Sequence, residues 1–356
     1  MHDWANEMTH LLAADLDHVL EYTAGIWEPL RRQRLFMTGG TGFVGTWLTE
    51  SLVWANTKLD LGVETVLLTR DPERFRAKAP HAARHKSIKL LRGNAQSFAF
   101  PEGEFGFVIH AATECHSEPT QEAPVATFDA DLAATRRVLE FARQAGTRRM
   151  LFTSSGAVYG RQPDDLPGIP EDYPGAPMTT DPKSAYGHAK RASEFLCAMY
   201  SRQFGCAVTI GRLFAFIGPH LPLDGYAVGN FIRDIMQGRA IQIESDGTTV
   251  RSYLYAADMS IWLWTILLKG ESLRPYNVGS SRAITVNALA KAVAKTAGGK
   301  AEIAVLGRAG VPATRYVPDT SRSERELGLL TRVPLEESLK RTREWYRVQA
   351  APVSKD

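Results

Sequence analysis

Leu35-Phe36-Met37-Thr38-Gly39-Gly40-Thr41-Gly42-Phe43-Val44-Gly45-Thr46-Trp47-Leu48 decides how the rest of this 356-residue chain is read. A short apolar run enters glycines spaced Gly39-x-x-Gly42-x-x-Gly45, and Trp47, Leu48, Leu52 and Val53 then recur on one face of a helical pattern. Strand, glycine turn and helix in that order aim a helix N-terminus, with its unpaired amide donors and positive dipole end, at an anionic group such as a pyrophosphate. The glycines have separate tasks in this reading. Gly39 permits the sharp turn, Gly42 keeps a Cβ out of the phosphate's way, and Gly45 lets the helix pack close to the sheet. The context points to a dinucleotide site.

Working outward, apolar runs and helical patterns alternate. Strands are predicted at Val63–Thr69, Ile88–Leu91, Phe107–Ala112 and Arg149–Ser155, with a helix over about 125–145. Such alternation implies right-handed βαβ units and a parallel sheet. The expected fold class is therefore α/β, a Rossmann-type doubly wound parallel sheet with a smaller C-terminal substrate-binding lobe and an N-terminal helical extension. Residues 1–33 form that extension: Leu12, Leu16, Val19 and Leu20 recur at helical spacing, and Trp27 and Leu30 prolong the apolar face. It is expected to pack on the main body, with a partner contact as the alternative. Residues 34–350 are read as one unit, the cofactor-binding core mainly 34–210 and the substrate lobe mainly from segments within 211–350. The proline-rich stretch Pro163–Pro182 reads as a loop bordering a cleft. Ile261–Leu268 reads as a buried helix, because it falls well short of the roughly 20 residues a membrane span needs.

Composition narrows the partners. With 42 basic against 39 acidic residues the net charge is only +3, so no broad field selects nucleic acid or a membrane surface. Cys115, Cys197 and Cys206 show no metal-ligand spacing and no metal is expected; their number cannot all pair, which suits a reducing compartment. The stretch Met1-His2-Asp3-Trp4-Ala5-Asn6-Glu7 is polar where a secretory signal is basic and then apolar, so a cytoplasmic protein is expected.

Two further constellations carry chemistry. After the second strand the order is Thr69-Arg70-Asp71, with an arginine where the adenosine ribose of a dinucleotide would lie. A basic residue there accommodates a 2′-phosphate, whereas an acidic one binds the free ribose hydroxyls, so NADP is slightly favoured over NAD. In Ser184-Ala185-Tyr186-Gly187-His188-Ala189-Lys190 the four-residue spacing puts Tyr186 and Lys190 on one helix face. An ammonium beside a phenol favours phenolate and makes the tyrosine a usable proton acceptor. Ser155 ends a predicted parallel strand, at the edge where open α/β sheets bind ligands, and its hydroxyl is placed to hold the reacting oxygen. His110, inside an apolar strand, reads as a satisfied core histidine.

These pieces resemble the extended branch of the short-chain dehydrogenase/reductase superfamily, and within it the nucleotide-sugar NAD(P)-dependent epimerase/dehydratase family. The matching segments are Thr38–Gly45, Val108–Ala112, Thr153–Gly160, Tyr186–Lys190, Arg212-Leu213-Phe214, Gly218-Pro219, Arg251–Tyr255 with Asp258, and Tyr276–Ser280, in the family's order over residues 35 to about 345. The resemblance implies Ser155, Tyr186 and Lys190 as the catalytic trio, with Tyr186 and Lys190 also against the cofactor. It implies Gly39, Gly42, Phe43, Val44 and Gly45 around the pyrophosphate, Arg70 and Asn94 toward the adenosine, and Ala111 and Ala112 beside ribose and phosphates. Ser155, Arg251 and Arg315 would meet the substrate, a nucleotide-activated sugar whose diphosphate suits an arginine's forked donors. The helices near 125–145 and 186–204 resemble the pair that joins family homodimers.

Departures from the family pattern narrow the reaction. Dehydrating members follow the strand-end serine or threonine with Asp-Glu, and a decarboxylating member would carry glutamate at position 157; this chain has Gly156-Ala157. Ala215, Asp131 and Ala134 also replace residues common in the family, Asp131 standing in for an asparagine. What remains is hydride transfer at sugar C4. The reading leans to a 4-keto-6-deoxyhexose reductase, with an NDP-sugar 4-epimerase that retains its cofactor as the alternative. A 4,6-dehydratase, a decarboxylase and a non-catalytic dinucleotide sensor rank below both.

Overall fold

The computed structural model describes residues 12–113, 123–308 and 313–350. Cys115 lies outside them, as does residues 1–11 of the extension. In the first half the elements are α1 (Ala13–Tyr22), β1 (Arg34–Thr38), α2 (Phe43–Lys58), β2 (Glu64–Thr69), α3 (Pro72–Lys78), α4 (Pro80–Arg84) and β3 (Ile88–Arg92). Next come β4 (Phe107–His110), α5 (Pro124–Gln144), β5 (Arg149–Ser155), α6 (Ala185–Phe204) and β6 (Ala207–Leu213). The second half runs through β7 (Phe216–Ile217), α7 (Ala227–Met236), β8 (Ile241–Ile243), β9 (Val250–Arg251), β10 (Leu254–Tyr255) and α8 (Ala256–Lys269). It ends with β11 (Pro275–Val278), β12 (Ile284–Thr285), α9 (Val286–Thr296), β13 (Ile303–Val305), β14 (Arg315–Tyr316), α10 (Ser321–Leu327) and α11 (Leu335–Gln349).

Seven strands form one parallel sheet in the order β3-β2-β1-β4-β5-β6-β11. The direction of winding reverses between β1 and β4, and ligands of open α/β sheets bind beyond the strand ends at such a switch point. Period-two alternation sends successive side chains to opposite layers. Leu35, Met37, Ile109 and Leu151 join one core with α1, α2 and α8, while Phe36, Val108, Met150 and Phe152 join the other with α5 and α6. With both faces covered, the strands read as unbroken apolar runs.

Two boundaries differ from expectation. β4 stops at His110 rather than Ala112, because its neighbour β1 ends at Thr38 where Gly39 turns away. The sheet's last strand, β11, is supplied by the segment assigned mainly to the substrate lobe. That lobe contains the pair β8–β13, the small sheet β12-β9-β14, and α7 and α9.

The extension is part of the core. Leu12, Leu16, Val19, Trp27 and Leu30 are buried, with Trp27 packed 4.9 Å from Trp264 of α8. Asp15 accepts from the Tyr255 hydroxyl at 2.5 Å and from Arg341 Nη1 of α11 at 2.6 Å, and His18 Nε2 lies 3.0 Å from the buried Asp258 carboxylate. Among the described residues no helix is long and apolar enough to cross a membrane, and no group of three or more His, Cys, Asp or Glu is arranged to hold a metal.

Candidate active site

The glycine turn joins β1 to α2 at the switch point. Gly39 sits at φ +71°, a region that only glycine enters cheaply, and a Cβ there would run into the backbone of Ala111. Gly45 packs against the turn rather than the sheet: its Cβ would collide with the Gly39 carbonyl oxygen and Gly40 Cα. Gly42 is the open position, where a Cβ would meet only the Gly39 oxygen, at 3.4 Å. Gly42 is also the N-cap of α2, no side chain caps that end, and Phe43 and Val44 of the first turn are half-buried. An uncapped helix N-terminus beside an unobstructed glycine fits a pyrophosphate.

Around it, the Ala111 amide donates to the Thr38 carbonyl and the Ala112 amide to Thr38 Oγ1. Arg70 is exposed directly after β2, whereas Asp71 is engaged, its Oδ1 accepting from the Arg74 amide at 3.0 Å to cap α3. Asn94 is exposed after β3, and its Oδ1 accepts from the Gln96 amide at 3.0 Å.

Ser155 closes β5, and Tyr186 and Lys190 lie on the first turns of α6, which packs against β5. The Lys190 ammonium is buried, 5.7 Å from the Tyr186 ring centroid and 5.3 Å from that of Phe152. Its Nζ reaches the Thr153 carbonyl at 3.5 Å and the Asp131 carboxylate at 3.8 Å. Asp131, the residue in the asparagine's place, is itself buried and accepts from the Thr113 hydroxyl at 3.1 Å. Lysine and aspartate thus form a buried ion pair behind the phenol. Ser155 Oγ accepts from the Ala157 amide at 3.1 Å, which fixes the hydroxyl at the strand end. His110 is satisfied on both nitrogens, by Thr38 Oγ1 at 2.7 Å and Thr135 Oγ1 at 3.2 Å. Burial, with the Lys190 charge adding to it, pushes its pKa down to about 3 and keeps it neutral.

On the substrate side, β14 runs parallel to β9 with Arg315 beside Val250 and Tyr316 beside Arg251. Neighbours across a ladder share a face, so Arg251 and Tyr316 face together and Arg315 faces the other way. Arg315 gives Nε and Nη2 to the Pro167 carbonyl, at 3.0 and 2.8 Å, and so holds the proline-rich loop. Arg251 is bonded to the Val250 carbonyl and to Thr314, and no carboxylate among the described residues pairs with it; lost hydration lowers its pKa. Its guanidinium lies 6.0 Å from the Tyr316 ring. That ring packs 4.6 Å from Phe214, and its hydroxyl donates to the Leu213 carbonyl at 3.3 Å, Leu213 being the register partner of Ser155.

Tyr316 also explains Gly156. A Cβ at Gly156 would lie 2.6 Å from the Tyr316 hydroxyl oxygen and 2.7 Å from Phe214 Cζ. The space that any side chain at 156 would enter is filled by two aromatic rings. Sequence reading missed this, since nothing in the neighbourhood of residue 316 announces a contact with residue 156. It also gave no role to Arg212, singled out only as part of a matching segment, which gives Nε and Nη2 to Glu194, at 3.0 and 2.8 Å, and Nη1 to the Tyr159 hydroxyl at 2.9 Å. Tyr159 then donates to Asn277, whose amide holds the Ile169 and Asp319 carbonyls. This network braces the cleft loop against the sheet.

Comparison with known proteins gives the family and the fold. The model of the NAD dependent epimerase/dehydratase family matches residues 35–279, and the chain belongs to that family of enzymes. UDP-glucuronic acid decarboxylase 6 of Arabidopsis thaliana is 30% identical over 332 residues, covering 90% of this chain and 93% of that protein. The UDP-glucose 4-epimerase of Thermotoga maritima, crystallised with UDP-glucose, superposes with a TM-score of 0.76 at 22% identity, over 89% of this chain and 100% of that one. The Thermus thermophilus UDP-glucose 4-epimerase, crystallised with NAD, has a TM-score of 0.72 at 26% identity, over 88% of this chain and 99% of its own.

Proposed function

We propose that this protein is a nucleotide-sugar oxidoreductase acting at C4 of the hexose, and that it reduces a 4-keto-6-deoxy sugar. A bound nicotinamide dinucleotide supplies the hydride for reduction, or accepts it for oxidation. Tyr186 gives its proton to the C4 oxygen in the reductive direction and takes it back in the oxidative one. The Ser155 hydroxyl holds that oxygen, and Lys190, paired with Asp131, keeps positive charge beside the phenol. Arg251 is assigned to the diphosphate. Arg315, turned to the opposite face, reaches the site through the Pro167 loop it holds.

The observation that carries the reading is the Gly156-Ala157 step after Ser155, closed over by Tyr316 and Phe214. It puts neither acid nor base at the two positions after Ser155 for removing water. The same step stands against decarboxylation in spite of the 30% identity to a UDP-glucuronic acid decarboxylase, a likeness that supports the nucleotide-sugar substrate. Likeness in fold to UDP-glucose 4-epimerases keeps 4-epimerisation as the second reading. Between cofactors we favour NADP, because Arg70 stands at the ribose position while Asp71 is spent on capping α3; the Thermus relative was crystallised with NAD.

The test is a nucleotide-sugar panel with and without added NADH or NADPH, followed by product stereochemistry. Stoichiometric consumption of NADPH with a 4-keto-6-deoxyhexose supports the reductase. Cofactor retained through purification, together with C4 interconversion without added NADPH, sinks it in favour of the epimerase. We further propose a homodimer through α5 and α6, whose packed pair leaves Val125, Phe195 and Met199 exposed.

A further inference from the structure

Lys78, the last residue of α3, reaches back to the glycine turn. Its Nζ donates to the Thr41 carbonyl oxygen at 3.1 Å and to Thr46 Oγ1 at 3.1 Å, and Thr46 Oγ1 donates onward to the Gly42 carbonyl oxygen at 2.6 Å. Two successive carbonyls of the turn are therefore anchored on the Lys78 side. In a trans peptide the carbonyl and the next amide point in opposite directions. The Gly42 carbonyl accepts the Thr46 amide of α2 at 2.9 Å as well as the Thr46 hydroxyl that Lys78 holds, and with it so fixed the Phe43 N–H points the other way, toward the open side of Gly42. That is the donor a phosphate at this helix end requires. The ammonium also places a full positive charge behind peptides where the α2 dipole contributes only about half of one.

We propose that Lys78 is a cofactor-positioning residue, an ammonium behind the glycine turn that orients the pyrophosphate-binding amide and strengthens attraction for the dinucleotide's phosphates. The inference rests on reading Gly39 to Gly45 as a dinucleotide site. The charged and titratable groups around Lys78 are Arg74 on its own helix, Glu50 of α2, His81 of α4 in a pair with that glutamate, and His220 after β7. Burial, and then repulsion from Arg74, lower the Lys78 pKa to about 8 despite Glu50. His220 stays neutral, its pKa held at about 3 by burial, and the charges of Lys78 and His81 act in the same direction. A diphosphate at this end of α2 favours the charged lysine. Dinucleotide affinity is then highest below pH 8 and declines as the pH rises through that value.

The experiment is equilibrium binding of NADH, NADPH and adenosine to the full chain from pH 6.5 to 9.5, followed by tryptophan fluorescence, for the wild type, Lys78→Met and Lys78→Arg. Lys78→Met is expected to weaken both dinucleotides about tenfold at pH 7, the scale of one charge-assisted hydrogen bond. It should also flatten the decline above pH 8 and leave adenosine binding unchanged. Lys78→Arg is expected to keep the affinity and carry it past pH 9, because a guanidinium does not titrate there. Unchanged dinucleotide affinity and an unchanged pH profile in Lys78→Met would overturn the inference. Equal losses for adenosine and dinucleotide would also overturn it, since a merely structural role predicts them. If the wild type binds neither dinucleotide, the reading of the turn itself falls, and this inference with it.

Discussion

Gly156 follows the serine of the site, and the room its side chain would take belongs to Tyr316 and Phe214. Both rings are held, one by stacking and by its bond to Leu213, the other by the end of β6. Gly156→Asp is accordingly predicted to cost about 1–3 kcal/mol through overpacking, and to bring no dehydratase activity. The check is a fall in the urea midpoint at unchanged slope, with part of it recovered in a Tyr316→Ala background, because touching residues are not additive. The placement of Ser155 at a strand end, and of Tyr186 and Lys190 together on one helix, was legible in the sequence from the apolar run before the serine and the four-residue spacing of the other two. Tyr316 was not, because its place depends on β14 pairing with β9 in one register. The same register separates Arg251 from Arg315, which sequence reading had put on one diphosphate.

At the scale of elements, α2 shows what a pattern can and cannot say. Trp47, Leu48, Leu52 and Val53 marked one apolar face, yet Gly45 to Val53 are buried without a break. The reason is that α1 and α8 cover the side the sheet does not. Trp47 Nε1 donates to the Pro219 carbonyl at 2.8 Å, and Trp264 Nε1 of α8 donates to Ser51 Oγ at 2.8 Å. Partners more than 170 residues away supply the second wall, so no local window contains it. The extension was legible as an apolar helix, but its anchoring was not. Trp27, buried on Trp264 and bonded through Nε1 to Thr23 Oγ1 at 2.9 Å, is the test of that anchoring. Trp27→Ala is predicted to cost about 3–5 kcal/mol in urea unfolding, a core-sized loss, where an appended helix would give a separate early transition instead.

For the molecule as a whole, the alternation of strand and helix patterns determined the sheet's class, and the glycine turn determined which strand leads it. Two strands escaped, β6 (Ala207–Leu213) and β11 (Pro275–Val278), the second because it returns to the sheet only after a long excursion and carries no crossover signal of its own. Global stability has an acid limb built into the fold. His110 has a native pKa of about 3 against an ordinary 6.5, so the unfolded chain binds a proton below pH 6.5 that the native state refuses. Its contribution is intact above pH 6.5 and is lost as the pH falls toward 3, at up to about 1.4 kcal/mol per pH unit. His110→Gln should show a shallower decline of unfolding free energy than the wild type between pH 6.5 and 4.5, measured by urea titration at each pH. Equal slopes would refute the assignment.

Asp15 bonded to Arg341 has a consequence for how the protein comes into being. The two residues are 326 positions apart, so this tie closes only after the segment carrying Arg341 has been made, later than the contact of α1 with α2 becomes possible. Before that, α1 and α2 with its Trp47 wait for α8, which completes this side of the core. Contacts of such sequence separation slow the closing of a core, because the intervening chain must be ordered before they can form.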